Sequence, residues 1–159
     1  NVTVLKKAFS PKGLVAYKIE SMVKDLEDLI NEYLQEFSDG RFTLTFAIEG
    51  EKLNIDLTDD GVSVNINTLS TGELARVNTS TLLAIRKLLS SLSSSRLNLL
   101  FLDEVLNVLD EEGRQKLIEV LNKEEYLNTF IVSHGWAHPL VSKLYVEKDN
   151  NISRVTADG

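Results

Sequence analysis

Apolar residues recur along this chain at different periods, and each period marks a kind of element. Between residues 14 and 37, Val15, Ile19, Met22, Leu26, Leu29 and Tyr33 fall at alternating steps of four and three, the spacing of one helix face. Val23, Ile30 and Phe37 widen that stripe, which predicts a helix packed on a sheet or bundle rather than only on one partner helix. Ser10 is the expected N-cap, Pro11 takes the first helical position, and Ser38-Asp39-Gly40 ends the helix. The period then drops to two. Phe42, Leu44, Phe46 and Ile48 alternate with polar residues, as do Leu53, Ile55 and Leu57 after Gly50-Glu51-Lys52, and Val62, Val64 and Ile66 after Asp59-Asp60-Gly61. This predicts an antiparallel meander with one buried face.

A second helix is expected from about Gly72 to Ser91, with Leu74, Val77, Thr81, Ile85, Leu88 and Leu92 facing inward. Leu99-Leu100-Phe101-Leu102 and Thr129-Phe130-Ile131-Val132 are unbroken apolar runs, the mark of central strands in a parallel sheet covered by helices. A third helix, roughly Glu111 to Asn122, lies between them. The serines at 90, 91 and 93 to 95 read as a helix end passing into a loop, and the tail around Asp149-Asn150-Asn151 reads as a hairpin. The fold class is α/β.

A chain of 159 residues suits one domain with a single core. Its 43% apolar and 26% charged residues are ordinary globular values. The net charge of −7 disfavours a free-standing nucleic-acid binder, and the absence of cysteine excludes disulfide scaffolds, thiolate zinc sites and thiol nucleophiles. No apolar run is long enough for a membrane helix. The chain opens on Asn1, its one methionine is Met22, and no signal segment leads it, so it reads as a piece of a longer, cytoplasmic protein.

Three places carry candidate chemistry. Leu99–Leu102 delivers Asp103 and Glu104 to the carboxyl end of a buried strand, where ligands of open α/β sheets collect. There Asp103 suits a magnesium ion and Glu104 a water; alone, the pair reads equally as the start of a solvated loop. Leu69-Ser70-Thr71-Gly72-Glu73 opens the second helix as a capping box, which is also an anion-binding helix start. His134 ends the second central strand and suits a phosphate oxygen. A zinc pair of His134 with His138 lacks a third ligand, and Pro139 would interrupt the helix it needs.

In order and spacing these blocks resemble the C-terminal half of an ABC-type ATPase head. Leu69–Glu73 looks like the signature motif, Leu99–Glu104 like Walker B with the catalytic glutamate, Asn107–Asp110 like the D-loop, and His134 like the switch histidine. Lys6–Leu14 resembles the point where a long coiled coil re-enters the head, and Ser38-Asp39-Gly40-Arg41-Phe42 is similar to the SbcC type of DNA-repair ATPase. No G-x-x-x-x-G-K-[ST] phosphate loop occurs. The resemblance therefore implies residues 1–13 as the end of a coiled coil and residues 14–159 as the C-terminal lobe, inactive alone because Walker A lies on the N-terminal lobe.

The same resemblance implies ATP and Mg2+ as cofactors, and two heads that sandwich two ATP molecules. Ser70, Thr71, Gly72 and Glu73 would cover the γ-phosphate bound by the second head, Asp103 would hold magnesium, and Glu104 would activate water. His134 would contact the γ-phosphate, and Asp110 would couple the sites. Implied partners are the N-terminal lobe, a second head, a metallophosphoesterase-type nuclease subunit and DNA. Lys6, Lys7 and Lys12 are candidate DNA contacts, with a solvated basic face as the alternative. Thr71 replaces the signature motif's usual glycine, so either that position is extended or nucleotide engagement is weaker. Val105-Leu106 replaces the Pro-Thr of many relatives, and Trp136 has no assigned role beyond core or lobe contact. Two other functions stay open: a chromosome or recombination ATPase head without a nuclease partner, and an interaction module that has lost turnover.

Overall fold

The computed structural model describes residues 11–49, 52–93 and 98–157. Lys6, Lys7, Ser10, Gly50, Glu51, Ser94 and Ser95 lie outside the described residues, as do the side chains of Lys12 and Ile48. The elements run α1 (Pro11–Ser38), β1 (Phe42–Glu49), β2 (Lys52–Asp59), β3 (Val62–Val64), a 3-10 turn (Ile66–Thr68), α2 (Thr71–Leu92), β4 (Leu99–Asp103), one-turn α3 (Val105–Val108), α4 (Glu111–Lys123), β5 (Asn128–Val132), β6 (Leu144–Asp149) and β7 (Ile152–Ala157).

The meander forms as the alternation predicts, antiparallel in the order β1-β2-β3, with Leu44 opposite Leu57 and Leu57 opposite Val64. It ends sooner than expected. The Asn65 side chain accepts the Asn67 N–H at 2.9 Å and turns Ile66 into the 3-10 helix, a local bond that competes with the sheet ladder. The buried face is also shorter: Phe42, Leu44 and Leu57 are buried, whereas Leu53, Ile55 and Val62 are exposed.

Helix α1 lies along the outer edge of β1, where another strand would otherwise pair. The Asn31 Nδ2 donates to the Leu44 carbonyl at 2.8 Å, and its Oδ1 accepts the Leu44 N–H at 2.8 Å. The Glu27 carboxylate accepts the Phe46 N–H at 2.6 Å, and the Ser38 hydroxyl accepts the Phe42 N–H at 3.1 Å. Positions 27, 31 and 38 share one helix face, and positions 42, 44 and 46 share one strand edge. An open edge is thereby covered. Ile30, Leu34 and Phe37 complete the contact as core residues.

Helix α2 packs on α1 through a face turned partly away from the one the apolar period predicts: Val77 is buried as expected, and Leu74, Thr81 and Leu88 are half-buried. Val77, Thr79, Ser80, Leu83 and Ala84 are buried, while Ile85 and Leu92 are exposed. The buried side chains at 79, 80 and 84 are small, so size as well as hydropathy separates the inner face from the exposed one. Leu82, Ile85, Leu89 and Leu92 form a second, exposed stripe. Strands β4 and β5 pair in parallel, as expected. Leu100 and Leu102 are buried, but the expectation of helices on both faces is not met among the described residues, because Leu99, Phe101, Phe130 and Val132 are exposed. In the closing hairpin, Asn150 and Asn151 both take positive φ, 46° and 64°, the two-residue turn that suits strand twist.

Asn31→Leu removes both bonds to Leu44 and leaves a partly buried amide and carbonyl unpaired. It should lower stability by about 2 kcal/mol, read as the urea midpoint by circular dichroism. Asn31→Asp keeps an acceptor for the amide and should fall between the two; equal midpoints for all three would remove the ladder's assigned role.

Candidate functional site

The parallel register sets Asp103 opposite Val132, so both strands end at one edge. Glu104 extends the ladder by one bond, its N–H donating to the Val132 carbonyl at 3.1 Å. Two residues beyond Val132 stands His134, whose Nε2 lies 3.9 Å from the Glu104 Oε1, with both side chains exposed. Glu104 has φ 55° and ψ 9°, a left-handed conformation costing a residue with a Cβ about 1–2 kcal/mol. Its carbonyl accepts the Asn107 N–H at 3.0 Å, so the turn is held on both sides. The exposed Asp103 lies just before it. Among the described residues no group of three or more His, Asp or Glu surrounds a metal position. One available carboxylate fits Mg2+, which is commonly shared between one or two carboxylates and substrate phosphates.

The start of α2 forms the second cluster. Ser70 is the N-cap and the full capping box is present. The Glu73 Oε2 accepts the Ser70 N–H at 2.9 Å and the Ser70 hydroxyl at 2.8 Å, while the Ser70 Oγ accepts the Glu73 N–H at 3.3 Å. Arg41 donates to the Glu73 Oε1 at 2.7 Å and forks onto both Asp59 oxygens at 2.6 Å. The Ser70 amide and hydroxyl hold the Glu73 carboxyl below its ordinary range, and Arg41 adds to that. Thr71 is the first helical residue and is not left-handed, so its Cβ meets no backbone penalty. A Cβ on Gly72 would stand 3.3 Å from the Val108 carbonyl oxygen, which makes glycine's small size useful at this contact.

Asp110 caps α4, accepting the Gly113 N–H at 2.8 Å, and pairs with Arg76 of α2 at 2.7 Å. The Gly113 amide, then Arg76, hold its carboxyl below the ordinary range. The Arg114 Nε donates to the Leu106 carbonyl at 2.7 Å, and buried Leu106 and Leu109 anchor the segment between β4 and α4.

The structure thus brings Glu104 and His134 together beside Asp103. It ties Gly72 and Asp110 to the same short segment, through Val108 and Arg76. His138 does not join His134: its Nδ1 accepts the Leu140 N–H at 3.2 Å, its Nε2 faces Gln115 at 3.0 Å, and its ring stacks on Trp136. Trp136, without a role in the sequence, packs against the core. Sequence reasoning missed Arg41, Arg76 and Arg114 in these roles, since no spacing rule pairs residues so far apart in the chain.

The family described as SbcC/RAD50-like, Walker B motif, matches residues 35–123. The chain is 49% identical over 138 residues to a protein named probable exonuclease subunit 2 of Escherichia phage T5, covering 87% of this chain and 22% of that one. It is 30% identical over 158 residues to the DNA double-strand break repair Rad50 ATPase of Methanocaldococcus jannaschii, covering 98% of this chain and 15% of that one. The chain therefore spans about a fifth or less of the length of these relatives. A solved structure titled for ATP-driven dimerization and DNA-stimulated activation of SMC ATPases superposes with a TM-score of 0.72 at 13% identity, covering 90% of this chain and 89% of that one. That likeness gives the fold.

The depressed Asp110 carboxyl stabilises the folded state above the usual carboxylate range, and that contribution is lost as pH falls through its lowered value. Asp110→Asn keeps a capping side chain and removes the charge that pairs with Arg76. Melting temperature followed from pH 6 downward should fall less steeply in the variant than in the parent; parallel curves would show that this pair adds nothing to folding.

Proposed function

This chain belongs to the SbcC/RAD50-like family, and on that premise we propose that it works as the C-terminal lobe of an ATPase head in a DNA-repair or recombination nuclease complex. The observation that carries the reading is the parallel β4–β5 pairing, which sets Glu104 and His134 side by side, 3.9 Å apart, at one sheet edge. Glu104 orients and deprotonates the attacking water, and its exposed carboxylate leaves it free to do so. His134 donates to the γ-phosphate and has Glu104 within reach as a counter-charge. Asp103 would hold Mg2+, which supplies charge neutralisation for the phosphates when bound. Ser70, Thr71, Gly72 and Glu73 present a capped helix start to the nucleotide of a second head, and Asp110 lies on the segment that joins this helix start to Glu104. Phosphoryl transfer depends mainly on positioning and charge stabilisation, so parts divided between two heads make hydrolysis depend on their dimerisation.

Two uncovered surfaces support the lobe reading. The Leu99, Phe101, Phe130 and Val132 face of the parallel pair suits further strands or helices of an N-terminal lobe carrying Walker A. The first turns of α1 expose Leu14, Val15 and Ile19, as the end of a coiled coil does without its partner strand. Residues 1–13 as the coiled-coil end and residues 14–159 as the lobe fit that arrangement. The relatives named for exonuclease and break-repair roles favour a nuclease subunit and DNA as partners of the complete assembly. Among the described residues no helix is long and apolar enough to cross a membrane.

Steady-state ATP hydrolysis should be absent for this lobe alone and appear when the N-terminal segment of its parent is added. Ser70→Arg should abolish it. Glu104→Gln should lower turnover by about 100-fold or more while ATP-driven dimerisation persists. Turnover by the lobe alone, free of contaminating ATPase, would mean that the phosphate site lies elsewhere. No turnover with both lobes folded and associated would favour an interaction module.

A further inference from the structure

We propose that Arg41, at the corner between α1 and β1, is a positioning residue for the nucleotide-facing hydroxyl of Ser70 and acts through Glu73. The proposal rests on the reading of Ser70–Glu73 as a signature motif and adds a residue to it.

The geometry forms a relay. Asp59 on β2 takes the Nε and one Nη of Arg41 in a two-pronged pair at 2.6 Å, which fixes the plane of the guanidinium. The backbone reinforces the corner: the Arg41 N–H donates to the Ser38 carbonyl at 3.1 Å, and its own carbonyl accepts the Asp60 N–H at 2.8 Å. The guanidinium also lies 4.7 Å from the centre of the Phe42 ring, and Phe42 is core. So held, Arg41 reaches the Oε1 of Glu73 at 2.7 Å. The other oxygen of Glu73 takes both the amide and the hydroxyl of Ser70.

A phosphate arriving at this helix start meets two effects of the relay. First, the Ser70 hydroxyl is donated to Glu73, so engaging a phosphate requires its proton to turn while the Oγ keeps the Glu73 N–H. Arg41 anchors the carboxylate from its far side and keeps Glu73 from following the hydroxyl. Second, a carboxylate beside the helix start repels an anionic ligand, and Arg41 places a positive charge on it. An isolated surface pair contributes little to folding. This pair acts instead on the rotamer and charge of the residue it holds, and lysine lacks the planar fork that does so.

The test uses the full-length parent ATPase and reads the ATP concentration for half-maximal head dimerisation, together with kcat. Arg41→Ala should raise that concentration about ten-fold, with a smaller change in kcat, and Arg41→Lys should recover only part. In a Glu73→Gln background the further effect of Arg41→Ala should shrink below about two-fold, an outcome that a merely structural Arg41 would not produce. Asp59→Asn loosens the fork from its other side and should show the same direction should Arg41→Ala fold poorly. Ser70→Arg separates the two levels. If it abolishes dimerisation while Arg41→Ala changes nothing, or if Arg41→Ala acts fully without Glu73, the relay is overturned and the signature reading stands. If Ser70→Arg leaves dimerisation intact, the signature reading fails and the relay with it.

Discussion

Among the described residues strand β1 has no strand on its outer side, and the way its backbone is satisfied governs the placement of the elements around it. A bare edge of amides and carbonyls either pairs with something or remains a hazard. Here the partner is a helix whose Glu27, Asn31 and Ser38 accept the N–H groups of Phe46, Leu44 and Phe42. Because these bonds are directional, they fix α1 in register along β1, which apolar packing alone would leave free to slide. The tight corner at Asp39 and Gly40, both at positive φ, then sets Arg41 beside Asp59 and the start of α2. A helix docked on a strand edge thus sets Arg41 against Glu73, the residue that accepts the Ser70 hydroxyl.

The core built on this frame has cover missing on one side. Leu100 and Leu102 face inward to the cluster that includes Phe37, Leu83 and Leu117, whereas Phe101 and Phe130 stack on each other at 5.2 Å on the open face. Aromatic pairs of this kind add modestly to stability, yet they leave an apolar patch in water, and such patches mark interaction sites. The exposed stripe of α2 has the same character. Uncovered apolar area thus lies on the same parallel pair whose carboxyl ends carry the candidate site.

Much of this was legible in the sequence. Long α1, the meander, the parallel pair and the tail hairpin follow from periods of 3.6 and 2 and from paired asparagines at the turn. The nearness of Glu104 and His134 was legible for the same reason, since unbroken apolar runs predict parallel strands whose carboxyl ends fall together. The features that escaped depend on size and on pairing at a distance. On α2 the buried face includes Val77 but turns toward Ser80 and Ala84, which carry less weight in a hydropathy pattern than the exposed Ile85 and Leu92. The end of β3 was set by one Asn65 side-chain bond. Arg41, Arg76 and Arg114 are ordinary polar residues until the fold brings Glu73, Asp110 and the Leu106 carbonyl to them.

Those arginines decide how the proposed site works as a unit. Arg76 ties α2 to Asp110, Arg114 ties α4 to α3, and the Val108 carbonyl sits against Gly72 so closely that a methyl group would have to displace it. The helix start that would meet another head's nucleotide is therefore braced against the segment just after Glu104. Interiors and short braced segments shift between discrete arrangements rather than deforming smoothly. A displacement of α2 would bear on α1, on Arg41 through Glu73, and on Val108 and Asp110. The route from the helix start proposed to face a nucleotide to Glu104 is therefore short, through the Gly72–Val108 and Arg76–Asp110 contacts and the backbone from Asp110 back to Val105.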